Sequence, residues 1–145
     1  MQPAGTAVTY QLFIHLRRAC RVAPGALGRW RLPPGWYVYT GSARAGLDAR
    51  LRRHLKRDKT RRWHVDWLLA RAEARVCWVR LHAEAECAVN RATGGAVPVP
   101  GFGASDCRAG CGSHLRYLGA ARPPAVPVDP AARRAGLARW RARRT

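Results

Sequence analysis

The sequence predicts a small α/β sandwich, and three observations predict it. Two runs dense in β-branched and aromatic residues, TAVTYQLFIHL (6–16) and WYVYT (36–40), read as buried strands. Leucines at 47, 51 and 55 recur with helical spacing. A third strand-like run, RVCWVRLH (75–82), is followed by a further helical stretch, 83–93. A doubly wound parallel sheet is excluded, because there are too few strand–helix–strand units and no GxGxxG. At 145 residues the chain is long enough for one domain around one core.

In order, residues 1–5 form a polar lead and 6–16 the first strand. Ala23-Pro24-Gly25 and Gly28 mark a turn, and 29–32 suffices for a short second strand before Pro33-Pro34-Gly35 breaks the chain. The strand over 36–40 is expected to end at Gly41 in a tight turn. A helix follows on the leucine stripe, with Asp48 in its first turn, where the helix dipole favours a carboxylate. Arg50, His54 and Arg57 recur at i, i+4 and i+7 and so share a face. Residues 63–72 read as another helix. The stretch 83–93 should bury Ala85, Ala88, Val89 and Ala92 and stop at Gly94-Gly95. Residues 97–103 are loop-like, and 114–118 form an edge strand. Beyond Leu118 the composition changes: prolines 123, 124, 127 and 130 make a linker, and 131–144 is a short arginine-loaded helix carrying Trp140. The expected division is therefore a domain over 1–118 and an appended linker and basic tail over 119–145.

Charge narrows the function. Lys and Arg number 27 against 8 Asp and Glu, a net charge of +19. Self-repulsion of that size is usually tolerated for a polyanionic partner. No window approaches the roughly 18 apolar residues of a spanning helix, and residues 1–24 carry no signal-peptide pattern. Nucleic acid is thus favoured over membrane. Nine cations (44, 50, 52, 53, 56, 57, 59, 61 and 62) face only Asp48 and Asp58 between residues 43 and 62. A merely solvated helix would mix signs, whereas a surface tracking a phosphate backbone would not. The five cysteines are odd in number and irregularly spaced, which argues against a secreted disulfide framework and for a reduced cytoplasmic, nucleoid-associated setting.

Five ordered blocks carry a resemblance: VTY (8–10), YTG (39–41) leading into SxxxxLxxRLRRHL, WHVDWLL (63–69), AEC (85–87) and PGFGASDC…SHL (100–115). Together they resemble the GIY-YIG nuclease superfamily, and in particular a prokaryotic branch sometimes found fused to endonuclease III. The resemblance covers about 6–118. It implies a central, mostly antiparallel sheet flanked by helices, and a metal-dependent endonuclease acting on DNA, with a repair role and RNA as the other nucleic acid to consider. Tyr10 and Tyr39 match the two motif tyrosines, one of which helps to deprotonate the attacking water, provided that neighbouring positive charge favours the phenolate. Gly41 and Ser42 follow, with Gly41 bringing backbone close to substrate. Arg50 matches the arginine that clamps the scissile phosphate. His54 matches a proton-handling position, and Glu86, preferred over Glu84 on the AEC block, matches the carboxylate that holds one Mg²⁺ or Mn²⁺. Arg53, Lys56, Arg57 and His64 are the further nucleic-acid contacts.

Departures from the family pattern are specific. Val8 replaces a glycine, the first two motifs are separated by an inserted β-excursion (17–34), and Ser42 stands where excision-repair members have lysine. The late asparagine has no clear match, Ser105 and Asp106 being the substitutes considered. These departures leave a second reading open, a non-catalytic nucleic-acid-binding module on the same fold. Cys107, Cys111 and His114 have zinc-like spacing but need a fourth ligand from Cys87, His82 or His64. A structured loop with reduced thiols is the preferred account of them at this point.

Overall fold

The computed structural model describes residues 8–43, 45–56, 58–104 and 107–126. Expectations for Arg44, Arg57, Ser105, Asp106, the lead before residue 8 and the tail beyond 126 lie outside the described residues.

The first apolar run forms β1 (Thr9–Leu16), the second β4 (Gly35–Ser42) and the third β5 (Ala74–His82), with β6 (Leu115–Gly119) on the far edge. The sheet order is β5-β1-β4-β6, every pairing antiparallel. The two central strands read as continuous apolar runs because both of their faces are covered. Side chains alternate across the sheet. Tyr10, Leu12, Ile14 and Leu16 of β1 and Tyr37 and Tyr39 of β4 face one side, where they pack with Leu51, Val65, Leu68 and Phe102. Phe13, Trp36 and Val38 face the other, against Trp78, Leu118, Ala125 and Val126. Residues past 118 therefore contribute to the second core.

The inserted excursion is a two-stranded ribbon, β2 (Cys20–Val22) with β3 (Trp30–Leu32), joined through a 3-10 turn at Gly25–Leu27. Three helices complete the fold: α1 (Leu47–Leu55), α2 (His64–Leu69) and α3 (Glu86–Thr93), the last packing across β1 and β4. Among the described residues no helix is long and apolar enough to cross a membrane.

Two expectations are corrected. Helix α3 buries Val89 and Asn90, while Ala85, Ala88 and Ala92 are exposed. A polar residue is buried here because the Asn90 amide donates to the Ser113 carbonyl at 2.9 Å. Gly41 does not form a tight turn either: it lies within β4, directly opposite Tyr10.

Candidate functional site

The reason for Gly41 is space. A Cβ there would stand 2.5 Å from the Tyr10 hydroxyl oxygen and 2.6 Å from Cζ. The Tyr10 ring lies over the glycine, and its hydroxyl meets His54 Nε2 at 2.7 Å. His54 comes from α1, where it shares the inward face with Leu51 and is only 2 % exposed. Tyr39 closes the group, its ring 6.3 Å from Tyr10 and 5.9 Å from His54 between centroids. Gly103, in a left-handed conformation at φ +65°, lets a backbone loop approach Tyr39, since a Cβ would sit 2.8 Å from that ring. The same residue's N–H donates to His64 Nδ1 at 2.8 Å.

Arg50 reaches across from α1. Its guanidinium donates to the Ser42 carbonyl at 2.6 Å, lowers the Tyr10 phenol by its charge and lies 4.7 Å from the Trp63 ring centroid. Arg53 stacks on the same ring at 4.4 Å but is committed elsewhere, donating to both Asp66 oxygens at 3.0 and 2.9 Å. It ties α1 to α2 rather than offering a free guanidinium. Asp66, buried in the first turn of α2, also accepts the backbone N–H groups of Arg62 and Trp63 at 2.7 and 2.9 Å. Burial pushes its carboxyl up, but these donors outweigh that and hold it below the ordinary range. Lys56 is exposed beyond the end of α1.

These residues border a pocket of about 540 Å³ lined by Tyr10, Tyr39, Gly41, Ser42, Arg50 and Glu86, with His64 and His114 on its wall. Of the five side chains expected to converge, four line it, and His54 stands directly behind Tyr10. The wall also carries Arg62, one of the nine clustered cations, together with Trp63 and the exposed Arg108, to which sequence reasoning gave no site role.

The electrostatics correct one expectation. Burial raises both phenols above their ordinary value, more than Arg50 lowers them, so neither tyrosine is a resting phenolate. Burial and then Lys59 lower His54 to about 3, which leaves its imidazole neutral at pH 7. For Glu86, burial raises the pKa, but hydrogen bonds from His114 and Ser42 and the charge of Arg50 win, and the carboxyl stays ionised. An ionised carboxylate offers about four acceptor sites, so two bonds leave room for a hard divalent ion completed by water and phosphate.

Beside the pocket lies a second group. Cys87, Cys107, Cys111 and His114 form a cluster that could hold a metal ion, their ligand atoms all within 4.8 Å of one another. Cys87, from the first turn of α3, supplies the fourth ligand missing from the local spacing. Backbone N–H groups of Cys111 and Ala109, together with His114, lower the Cys107 thiol to about 6, whereas burial and the neighbouring thiols raise Cys87 to about 12. His114 is 2 % exposed. Its Nδ1 pairs with Glu86 Oε2, and its Nε2 faces Cys87 Sγ at 3.9 Å.

A family model described as Domain of unknown function DUF123 matches residues 9–136. No curated protein and no solved structure matches the chain.

Proposed function

We propose that this chain, which belongs to the DUF123 family, is a metal-dependent endonuclease of the GIY-YIG type that hydrolyses phosphodiester bonds in DNA. The observation that carries this reading is the meeting of Tyr10, Arg50 and Glu86 in one pocket, with a neutral His54 hydrogen-bonded behind Tyr10. Arg50 is placed to clamp the scissile phosphate, with Arg62 and Arg108 on the rim for the flanking backbone. The sequence left open which tyrosine handles the water; the bond to His54 favours Tyr10. A water proton passes to the Tyr10 oxygen as the phenol's own proton moves to His54 Nε2, a step that requires the negative charge of bound phosphate to offset the burial and cations that hold His54 neutral in the free protein. The resulting hydroxide attacks phosphorus as the bond from phosphorus to one sugar oxygen breaks, that oxygen leaving to take a proton from solvent water, and Arg50 offsets the charge that develops on the phosphate oxygens. Tyr39 walls the site and packs against both partners of the relay. Glu86 is the residue that would hold Mg²⁺ or Mn²⁺, which when bound neutralises phosphate charge and acidifies water.

We assign the four-residue cluster to a structural zinc. Around tetrahedral zinc, sulfurs bonded at about 2.3 Å stand about 3.8 Å apart, and Cys87 Sγ to Cys107 Sγ is 3.7 Å. Three thiols and an imidazole are soft ligands that Mg²⁺ does not choose. The reduced cysteines and the cationic surface suit a cytoplasmic, nucleoid-associated protein engaged in DNA repair.

One observation favours the non-catalytic alternative: Glu86 is already paired with His114, as it would be in a binding cleft organised by zinc. Purified protein incubated with single-stranded, nicked, branched and duplex DNA, and with matched RNA, separates the two. The nuclease reading expects Mg²⁺-dependent products on at least one DNA substrate, blocked by EDTA and lost in Tyr10→Phe. Salt-sensitive binding with no product on any substrate would leave only the binding module.

A further inference from the structure

The two halves of the site meet at one residue. His114 is buried, and both of its ring nitrogens face functional groups: Nδ1 the Glu86 carboxylate, Nε2 the Cys87 thiol. Its backbone is held on two sides, the N–H donating to the Phe102 carbonyl at 2.7 Å and the carbonyl accepting from Thr40 N–H at 3.0 Å. Thr40 lies between Tyr39 and Gly41 on β4, so the ring is anchored to the strand that forms the pocket floor. On the other side, Glu86 and Cys87 are consecutive in the first turn of α3, and the Asn90 bond to Ser113 fastens that helix beside His114. One ring therefore sits between the thiol cluster and the carboxylate, with little freedom to turn.

We propose that His114 ligates the cluster's metal through Nε2 and donates its Nδ1–H to Glu86, so that metal occupancy of the cluster positions Glu86 in the hydrolytic pocket. The arrangement is a carboxylate–histidine–metal relay, in which the outer carboxylate fixes the tautomer and orientation of the ligating imidazole. Linkage makes the effect reciprocal: a carboxylate that strengthens metal binding is itself held in place when the metal is bound. His114 is thus a positioning residue between two sites that sequence alone sets 28 positions apart. Glu84, two residues before Glu86 and exposed, takes no part. This inference rests on the zinc reading above, but not on nuclease activity.

The test is the zinc affinity of the full chain, measured by competition with a chromophoric chelator, for wild type, Glu86→Gln, Glu86→Ala and Glu84→Ala. Removing an outer-shell partner typically weakens metal binding about 10- to 100-fold. That loss is expected for Glu86→Ala, a smaller one for Glu86→Gln, which still accepts a hydrogen bond, and none for Glu84→Ala. Long-range proton–nitrogen NMR of the zinc-loaded protein should place the His114 proton on Nδ1. An unchanged affinity in both Glu86 variants, or a proton on Nε2, would overturn the proposal while leaving the zinc site standing. Failure of the wild type to bind zinc at all would instead remove the zinc reading, and this inference with it.

Discussion

Replacing Gly41 by alanine tests the contact on which the pocket is built, and the sign of the result is diagnostic. Gly41 lies in a strand and is not among the positive-φ glycines, so alanine fits its backbone. In a strand without steric conflict, Gly→Ala stabilises by roughly 0.5–1 kcal/mol. Here the new Cβ would stand 2.5 Å from the Tyr10 hydroxyl and 2.6 Å from Cζ, so the ring must swing away. Tyr10 is 1 % exposed and packed in the main core, and overpacking of that kind costs about 1–3 kcal/mol. Moving the ring also breaks its bond to His54, which adds about 1 kcal/mol. Urea unfolding of Gly41→Ala should therefore show a loss of about 1–3 kcal/mol. In a Tyr10→Leu background the clash is absent, and the same substitution should be neutral or stabilising, giving a coupling of at least about 1 kcal/mol. Stabilisation in the wild-type background, or equal costs in both, would refute the placement of Tyr10 over Gly41.

The same geometry makes three further outcomes testable. His54 is held neutral with a folded value of about 3 against an ordinary 6.5, so its contribution is fully present above pH 6.5 and is lost as pH falls towards 3. Between pH 7 and 4.5 this amounts to about 3 kcal/mol, and urea midpoints over that range should fall further for wild type than for His54→Gln. Asp66→Ala strips the bidentate partner from Arg53 and two helix-start N–H groups of their acceptor, for an expected loss of about 3–5 kcal/mol by chemical denaturation; a loss below 1 kcal/mol would contradict the buried ion pair. Ending the chain after Val126 keeps the valine that is buried in the second core and removes the basic tail. The log–log slope of DNA binding on salt should flatten by about 0.9 for each phosphate that the shortened chain no longer neutralises, and an unchanged slope would show that the tail neutralises none.

The fold was legible where hydrophobic pattern decides structure. The runs that became β1, β4 and β5 are apolar enough to be strands in almost any context, and the leucine stripe placed α1. Pattern misled where a hydrogen bond overrides hydrophobicity: Asn90 is buried on α3 because Ser113 accepts from it, and the alanines expected there face water. Three-residue β2 carries too little signal to be read, since its pairing with β3 is what makes it a strand. At the site, the tyrosines, Arg50 and Glu86 were named from the resemblance, but their electrostatics were not. Exposed cations suggested phenolates, whereas burial, which sequence cannot measure, raises both phenols. Burial of His54 had a trace in the sequence, three residues after Leu51 and so on the inward stripe. For the fourth ligand of the cysteine cluster the sequence offered Cys87, His82 or His64, and only the fold, which brings the Cys87 and Cys107 sulfurs to 3.7 Å across twenty residues, selects Cys87.

The most direct measurement is single-turnover cleavage of a branched DNA by zinc-loaded protein in Mg²⁺, with wild type beside Arg50→Ala. Incision is expected to require Mg²⁺ and to fall at least about 100-fold in the variant, the cost of losing one donor to developing phosphate charge, while DNA affinity changes little on a surface of net charge +19. Incision that survives Arg50→Ala at the wild-type rate would contradict this expectation, because the cutting would then be taking place somewhere other than this pocket.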